Sequence, residues 1–229
     1  MTLDFSGRDV VVTGATGELG AAVAGLLLEA GATVHVPARD AGKAKGLGSR
    51  VHVTGGIDLT DEASVAKFYA GLPPLWASIH AAGGFFAAPV AATGLGDFRR
   101  MLDMNAVSAF LCSREAIKNM RGRGGRIVNV AAQPGVEPRR GAGMVAYTAS
   151  KAAIAALTLA VAEEVAPDGI WVNAVVPSNM DTEANRRAMP KADHGTWPKL
   201  DEVAATVAFL ASPQNAVTRA ALVPVYGRS

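Results

Sequence analysis

Short apolar runs alternate with longer amphipathic stretches along the chain. Asp9–Thr13 reads DVVVT and stops at Gly14, the pattern of a buried strand. Leu19–Ala30 is rich in Ala and Leu and is stopped by Gly31, which predicts a helix. Strands are expected at Thr33–Val36 and Val51–Thr54, then a helix over about 61–70 ended by Pro73-Pro74. A fourth strand follows at Trp76–Ala81, and one long helix over about 97–120. Arg126–Val130 reads as the fifth strand and Val145–Ala166 as a second long helix, ended by Pro167-Asp168-Gly169. Ile170–Val176 is the sixth strand, closed by Pro177. A polar loop covers about 178–199, Leu200–Ala211 is a helix and Ala221–Val225 a last strand. Repeated βα units with apolar strands predict an α/β fold: a doubly wound parallel sheet of about seven strands in three α/β/α layers. Without a linker or short repeat, 1–229 is expected to be one dinucleotide-binding domain, with the 178–199 loop as its substrate lid.

Composition narrows the function. Half of the 229 residues are hydrophobic, only 18% are charged and the formal charge is +2, so the expected partner is a small-molecule substrate, not nucleic acid. So few charges fit a homodimer or homotetramer with buried helix faces. Cys112 is the only cysteine, which excludes an internal disulfide and fits a reducing, cytoplasmic setting. The N-terminus shows no signal-peptide pattern, and no apolar run reaches 18 residues, so no membrane span is expected. His35, His52, His80 and His194 lack metal-ligand spacing, and no metal site is expected.

Two motifs carry chemistry. Gly14-Ala15-Thr16-Gly17-Glu18-Leu19-Gly20 follows the first strand and opens the first helix. There, glycines let backbone N–H groups approach a pyrophosphate at a helix N-terminus. The second strand ends Pro37-Ala38-Arg39-Asp40. Where an NAD site usually has a carboxylate stands Ala38, with Arg39 beside it to grip a 2′-phosphate. This favours NADP(H). A register one residue later would bring Asp40 into play and favour NAD(H). Tyr147 and Lys151 lie four apart on a helix and share a face. An ammonium beside a phenol favours phenolate and pulls its pKa toward the working range.

In this order the motifs resemble the short-chain dehydrogenase/reductase family, a Rossmann-type fold, from about Val10 to Val225. Asp58, with Leu59, is similar to the family's adenine-contacting Asp. Ala81-Ala82-Gly83 stands where the family has Asn-Ala-Gly. Asn105 matches the Asn that supports the catalytic Lys through a water. Pro177-Ser178-Asn179-Met180-Asp181-Thr182 resembles the segment at the nicotinamide carboxamide. The resemblance implies cofactor contacts from Gly14, Thr16, Gly17, Glu18, Leu19, Gly20, Arg39, Asp58, Leu59, Ala82, Gly83, Pro177, Ser178, Met180 and Thr182. It also implies hydride transfer at the nicotinamide, with Tyr147 moving the proton and Lys151 both lowering its pKa and binding the nicotinamide ribose.

One position departs from the family. The Ser usual at the end of the fifth strand is Ala132, which neither donates nor accepts; Gln133 is the nearest substitute. Quinonoid dihydropteridine reductases also lack that Ser. The chain resembles them at Ala82-Gly83-Gly84-Phe85, at Gly143-Met144-Val145-Ala146-Tyr147 and over 176–193, with Trp197 matching as well. That resemblance implies a planar, pterin-like substrate against Phe85, Phe86, Met144, Met189 and Trp197, and it leans toward NADH. The competing readings are a ketone reductase using Gln133, and a protein that binds NADP(H) without catalysis.

Overall fold

The computed structural model describes residues 3–44 and 50–229. Seven strands, β1 (Asp9–Thr13), β2 (Thr33–Pro37), β3 (Val51–Thr54), β4 (Leu75–His80), β5 (Gly125–Val130), β6 (Ile170–Pro177) and β7 (Leu222–Val225), form one parallel sheet. Their order is β3-β2-β1-β4-β5-β6-β7, the doubly wound Rossmann topology. The chain reverses direction across the sheet between β1 and β4, and a crevice opens there at the carboxyl ends of the strands.

Helices α1 (Glu18–Glu29) and α8 (Leu200–Ala211) cover one face, packing on Val10, Val12, Ile79 and Val128. Helices α2 (Glu62–Ala70), α4 (Ser108–Met120) and α6 (Val145–Glu164) cover the other, over Val11, Ile127 and Val172. By length and a mean hydropathy of 1.5, α6 is apolar enough to cross a membrane. Here it covers the sheet, with Ile154, Ala155 and Ala162 turned into the core.

Three local features differ from the sequence expectation. The long helix over about 97–120 is divided into α3 (Leu95–Met101), a π-helical stretch (Leu102–Val107) and α4. A π-helical insertion re-aims the side chains around it, and Asn105 lies within this one, buried and turned toward Gly84 and Ser150. The loop over 178–199 contains α7 (Glu183–Ala188), whose first turn is capped by Thr182 Oγ1 accepting from Asn185 N–H at 3.1 Å. A one-turn helix, α5 (Gln133–Val136), follows β5.

At the opposite, amino-terminal end of the strands lies a guanidinium–indole ladder. Asp9 pairs with Leu75 but Val10 with Ala77, a bulge at Trp76 that frees this side chain from strict alternation. Arg8 and Arg126 each stack on Trp76, at 4.9 and 5.1 Å, and Arg126 also stacks on Trp171 at 4.4 Å. Arg126 is buried, makes no ion pair among the described residues, and donates to the carbonyls of Gly125 and Asn215. The indole faces and these carbonyls stabilise a charge that burial alone would not allow. Lysine has no planar fork to stack between two rings. Arg126→Lys is therefore expected to lose about 2 kcal/mol and ~4–8 °C in Tm, read by thermal denaturation, with kcat unchanged.

Candidate active site

Strand β1 ends at Gly14, whose φ of +72° suits glycine, and a Cβ there would come within 2.6 Å of Ala82 N. A Cβ at Gly20 would come within 2.3 Å of Gly14 O, so Gly20 seats α1 against the turn. Gly17 is different: its missing side chain would meet the protein only at 3.4 Å. It caps α1 without a side-chain hydrogen bond, so the first N–H groups of that helix remain open to an anion. The three glycines thus divide their work, two closing the fold and one leaving space for a ligand.

In front of this turn lies a cavity of about 250 Å³ lined by Gly14, Thr16, Gly17, Arg39, Asp58, Leu59, Ala82 and Gly83. Pro37, Ile57, Thr60, Met104 and Ser108 also line it, and no cofactor contact is expected of any of them from the sequence. Met104 and Ser108 flank Asn105, so their helix position was the available signal. Asp58 accepts from Thr60 N–H at 2.9 Å and from its hydroxyl at 2.8 Å, which holds the carboxyl below its usual range. Asp40 does not line the cavity; its carboxylate accepts from Gly42 N–H at 2.8 Å.

A second cavity of about 310 Å³ shares Ala81 and Gly83 with the first, so the two form one cleft. Its walls include Leu19, Phe85, Ala132, Tyr147, Lys151, Pro177, Ser178 and Met180. An elongated cleft with Arg39 and Asp58 in one cavity, a phenol and an ammonium in the other, and the open start of α1 bordering both fits a dinucleotide.

Tyr147 and Lys151 occupy the first two turns of α6, but their relation is not the one expected from their spacing. Lys151 Nζ donates to Val130 O at 2.8 Å and lies 5.9 Å from the centre of the Tyr147 ring. Burial pushes the Tyr147 phenol up to about 12 and the Lys151 ammonium down to about 8. Desolvation of both groups outweighs their mutual attraction, so the protein by itself keeps Tyr147 protonated. Phe85 meets the Tyr147 ring edge-on, with centroids 5.0 Å apart.

Asn105 is fully buried and acts as a clamp. Its Oδ1 accepts from Gly84 N–H at 2.9 Å, and its Nδ2 donates to Gly84 O at 3.1 Å and to Ser150 Oγ at 2.9 Å. The side chain thus fastens the Gly83–Gly84 segment to α6 next to Lys151. Gly83 is required in that clamp, since a Cβ would come within 2.4 Å of Asn105 Oδ1.

Several predicted site residues lie elsewhere. Gln133 is buried, and its amide donates to Glu137 Oε2 at 3.3 Å, one helical turn away and not into the cleft. Trp197 is buried against His194, with centroids 4.6 Å apart, and Met144 begins α6 beside Ala88. Phe86 lies under the Arg100 guanidinium at 5.4 Å, and Met189 accepts from His194 Nε2 at its carbonyl. None of these five lines either cavity. Glu18 is exposed at the start of α1, and Thr182 caps α7.

The chain is similar in sequence and fold to known proteins. Residues 8–193 match the family model described as short chain dehydrogenase. The chain is 33% identical to the 3-oxoacyl-acyl-carrier-protein reductase FabG of Rickettsia bellii, covering 93% of this chain and 92% of that one. It is 35% identical to galactitol 2-dehydrogenase of Rhizobium johnstonii, covering 96% and 94%. Among solved structures, a short-chain dehydrogenase/reductase from Serratia marcescens superimposes with a TM-score of 0.88 at 29% identity, covering 97% and 98%. A dehydrogenase/reductase from Sinorhizobium meliloti gives 0.87 at 26%, covering 99% and 96%. The chain belongs to the short-chain dehydrogenase family and is an NAD(P)-dependent oxidoreductase.

Proposed function

We propose that the enzyme is an NADP(H)-preferring reductase that delivers a hydride and one proton to a planar, ring-conjugated substrate of the pterin kind. The observation that carries this reading is Ala132. It lines the cleft with Tyr147, and the next polar side chain, Gln133, is turned to Glu137. Ser178 also lines the cleft, but its hydroxyl donates to Tyr226 O at 3.1 Å. Tyr147 is left as the hydroxyl donor for substrate. A carbonyl oxygen that gains negative charge in the transition state is best held by two donors. A ring nitrogen receiving one proton needs only one.

In this reading the nicotinamide supplies the hydride. Tyr147 donates the proton from its phenol oxygen, Lys151 provides positive charge behind it, and Asn105 fixes Gly83–Gly84 under the ring. Gly17 and the open end of α1 hold the pyrophosphate, Asp58 and Leu59 border the adenosine, and Arg39 meets the 2′-phosphate. Pro177, Ser178 and Met180 flank the nicotinamide at the base of the 178–199 lid. Phe110, Val145 and Leu159 are exposed on α4 and α6, which supports a homodimer or homotetramer built on those helices.

A second reading, a ketone reductase, is favoured by the identity to the Rickettsia bellii reductase. It requires the Gln133 side chain to leave Glu137. Steady-state turnover of quinonoid dihydropterin and of a simple diketone, each with NADPH and NADH, separates the two. Faster turnover of the pterin is expected. Turnover of the diketone alone, reduced further by Gln133→Ala, would establish the second reading instead.

A further inference from the structure

A hydrogen-bonded chain of side chains crosses the buried sheet face below the cleft. It runs from Tyr69 on α2 through Ser78 and His80 on β4 and Asn129 on β5 to Thr158 on α6. Tyr69 OH and Ser78 Oγ are 2.8 Å apart, Ser78 Oγ and His80 Nε2 2.9 Å, and His80 Nδ1 and Asn129 Oδ1 2.8 Å. Asn129 Nδ2 donates to Thr158 Oγ1 at 3.0 Å, and Thr158 Oγ1 donates to Ile154 O at 2.8 Å. All five residues are buried.

The proton positions follow from the last link. Thr158 gives its only hydrogen to Ile154 O, so it must accept from the Asn129 amide. That orientation turns Asn129 Oδ1 toward His80, so His80 Nδ1 carries the hydrogen and donates. Nε2 then accepts from Ser78, and Ser78 in turn accepts from Tyr69. Every donor points the same way, from α2 toward α6. Ser113 Oγ, at 3.4 Å from Nδ1, is a longer second neighbour. Tyr69, with Cys112 and Glu115 beside it, is the titratable group at the far end. Burial pushes His80 down to about 4, so the ring is neutral at working pH.

The chain ends where the reaction machinery begins. Asn129 precedes Val130, whose carbonyl takes the Lys151 ammonium. Thr158 is seven residues, about two turns, beyond Lys151 on the same face of α6. His80 precedes Ala81-Ala82-Gly83, which line the cleft. Apolar packing alone lets a helix slide or roll on a sheet, whereas a directed polar chain fixes one register. We propose that His80, as the neutral Nδ1–H tautomer, and Thr158 are positioning residues that set α6, and hence Tyr147 and Lys151, against the cleft. This rests on the roles given to Tyr147 and Lys151 above.

Two measurements test it. Long-range ¹H–¹⁵N spectra of the wild-type enzyme, with His80 assigned by replacing His35, His52 and His194 in turn, should show a neutral Nδ1–H ring down to pH 5. An Nε2–H tautomer, or a charged ring at pH 6, would overturn the proposal whatever the enzyme's substrate. Thr158→Val should lower kcat roughly tenfold and displace the alkaline limb of the kcat–pH profile, with Thr158→Ser restoring both. A lower Tm with kcat and limb unmoved would make the chain structural only. If Tyr147→Phe leaves kcat intact, the parent reading fails, while the tautomer result still stands or falls separately.

Discussion

Tyr147→Phe is expected to lower turnover by about 10³-fold while leaving dinucleotide affinity within a few-fold, because only the transferable proton is removed. The phenylalanine ring retains the edge-on contact with Phe85, and Lys151 retains Val130 O. The pH dependence follows from the two shifted groups. Tyr147, pushed up to about 12, is protonated throughout the neutral range and ready to donate. Lys151, brought down to about 8, is charged below that value and loses its charge as pH rises through it. A charged ammonium stabilises the phenolate that forms as the proton leaves, so reduction should fall on the alkaline side with a midpoint near 8. The limb should vanish from the residual rate of Tyr147→Phe, since no phenolate then forms. Stopped-flow reduction over pH 5–10, with calorimetric titration of the dinucleotide, checks both parts. Retained turnover in Tyr147→Phe would remove the phenol from the chemistry.

The elements that carry this chemistry were legible in the sequence for a simple reason. Each strand is an apolar run closed by glycine, proline or a polar cluster, and the order of glycine turn, Asn105, Tyr147 and Lys151 follows the βα units. What was not legible lay between elements. The π-helical stretch at Leu102–Val107 has almost the periodicity of the α-helix it interrupts, so the sequence puts Asn105 on a helix but does not reveal its reach to Gly84 and Ser150. The four-residue spacing of Tyr147 and Lys151 is visible in the sequence and pairs the two; the carbonyl of Val130, which Lys151 donates to in the structure, is not visible there. Gln133 is the polar residue nearest to Ala132 in sequence, but the sequence does not show where its amide points. As the one-turn helix α5, Gln133–Val136 brings Glu137 within reach four residues on. Thr182 sits within the resembling segment, and only the start of α7 at Glu183, inside the 178–199 loop, shows it to be a cap.

Arg39→Ala should raise KM for NADPH about 30- to 100-fold and change KM for NADH less than threefold, corresponding to loss of one charge-assisted pair worth ~2–3 kcal/mol. Three observations support so selective an effect. Arg39 lines the cavity at the end away from Tyr147 and makes no ion pair among the described residues, so its charge is available to a ligand. Asp58 lines the same cavity, but its carboxylate is held by the Thr60 N–H and hydroxyl. Asp40, the residue that would favour NAD(H) by accepting from a ribose hydroxyl, is turned to Gly42 N–H. Arg39→Asp goes further, because it places like charge against the 2′-phosphate and offers an acceptor to the 2′-hydroxyl. It should therefore reverse the cofactor preference, not merely abolish it. Equal losses with both cofactors in Arg39→Ala would place Arg39 on the shared part of the dinucleotide, and a wild-type preference for NADH would show that Asp40 or Asp58 leaves its present partner to bind the ribose.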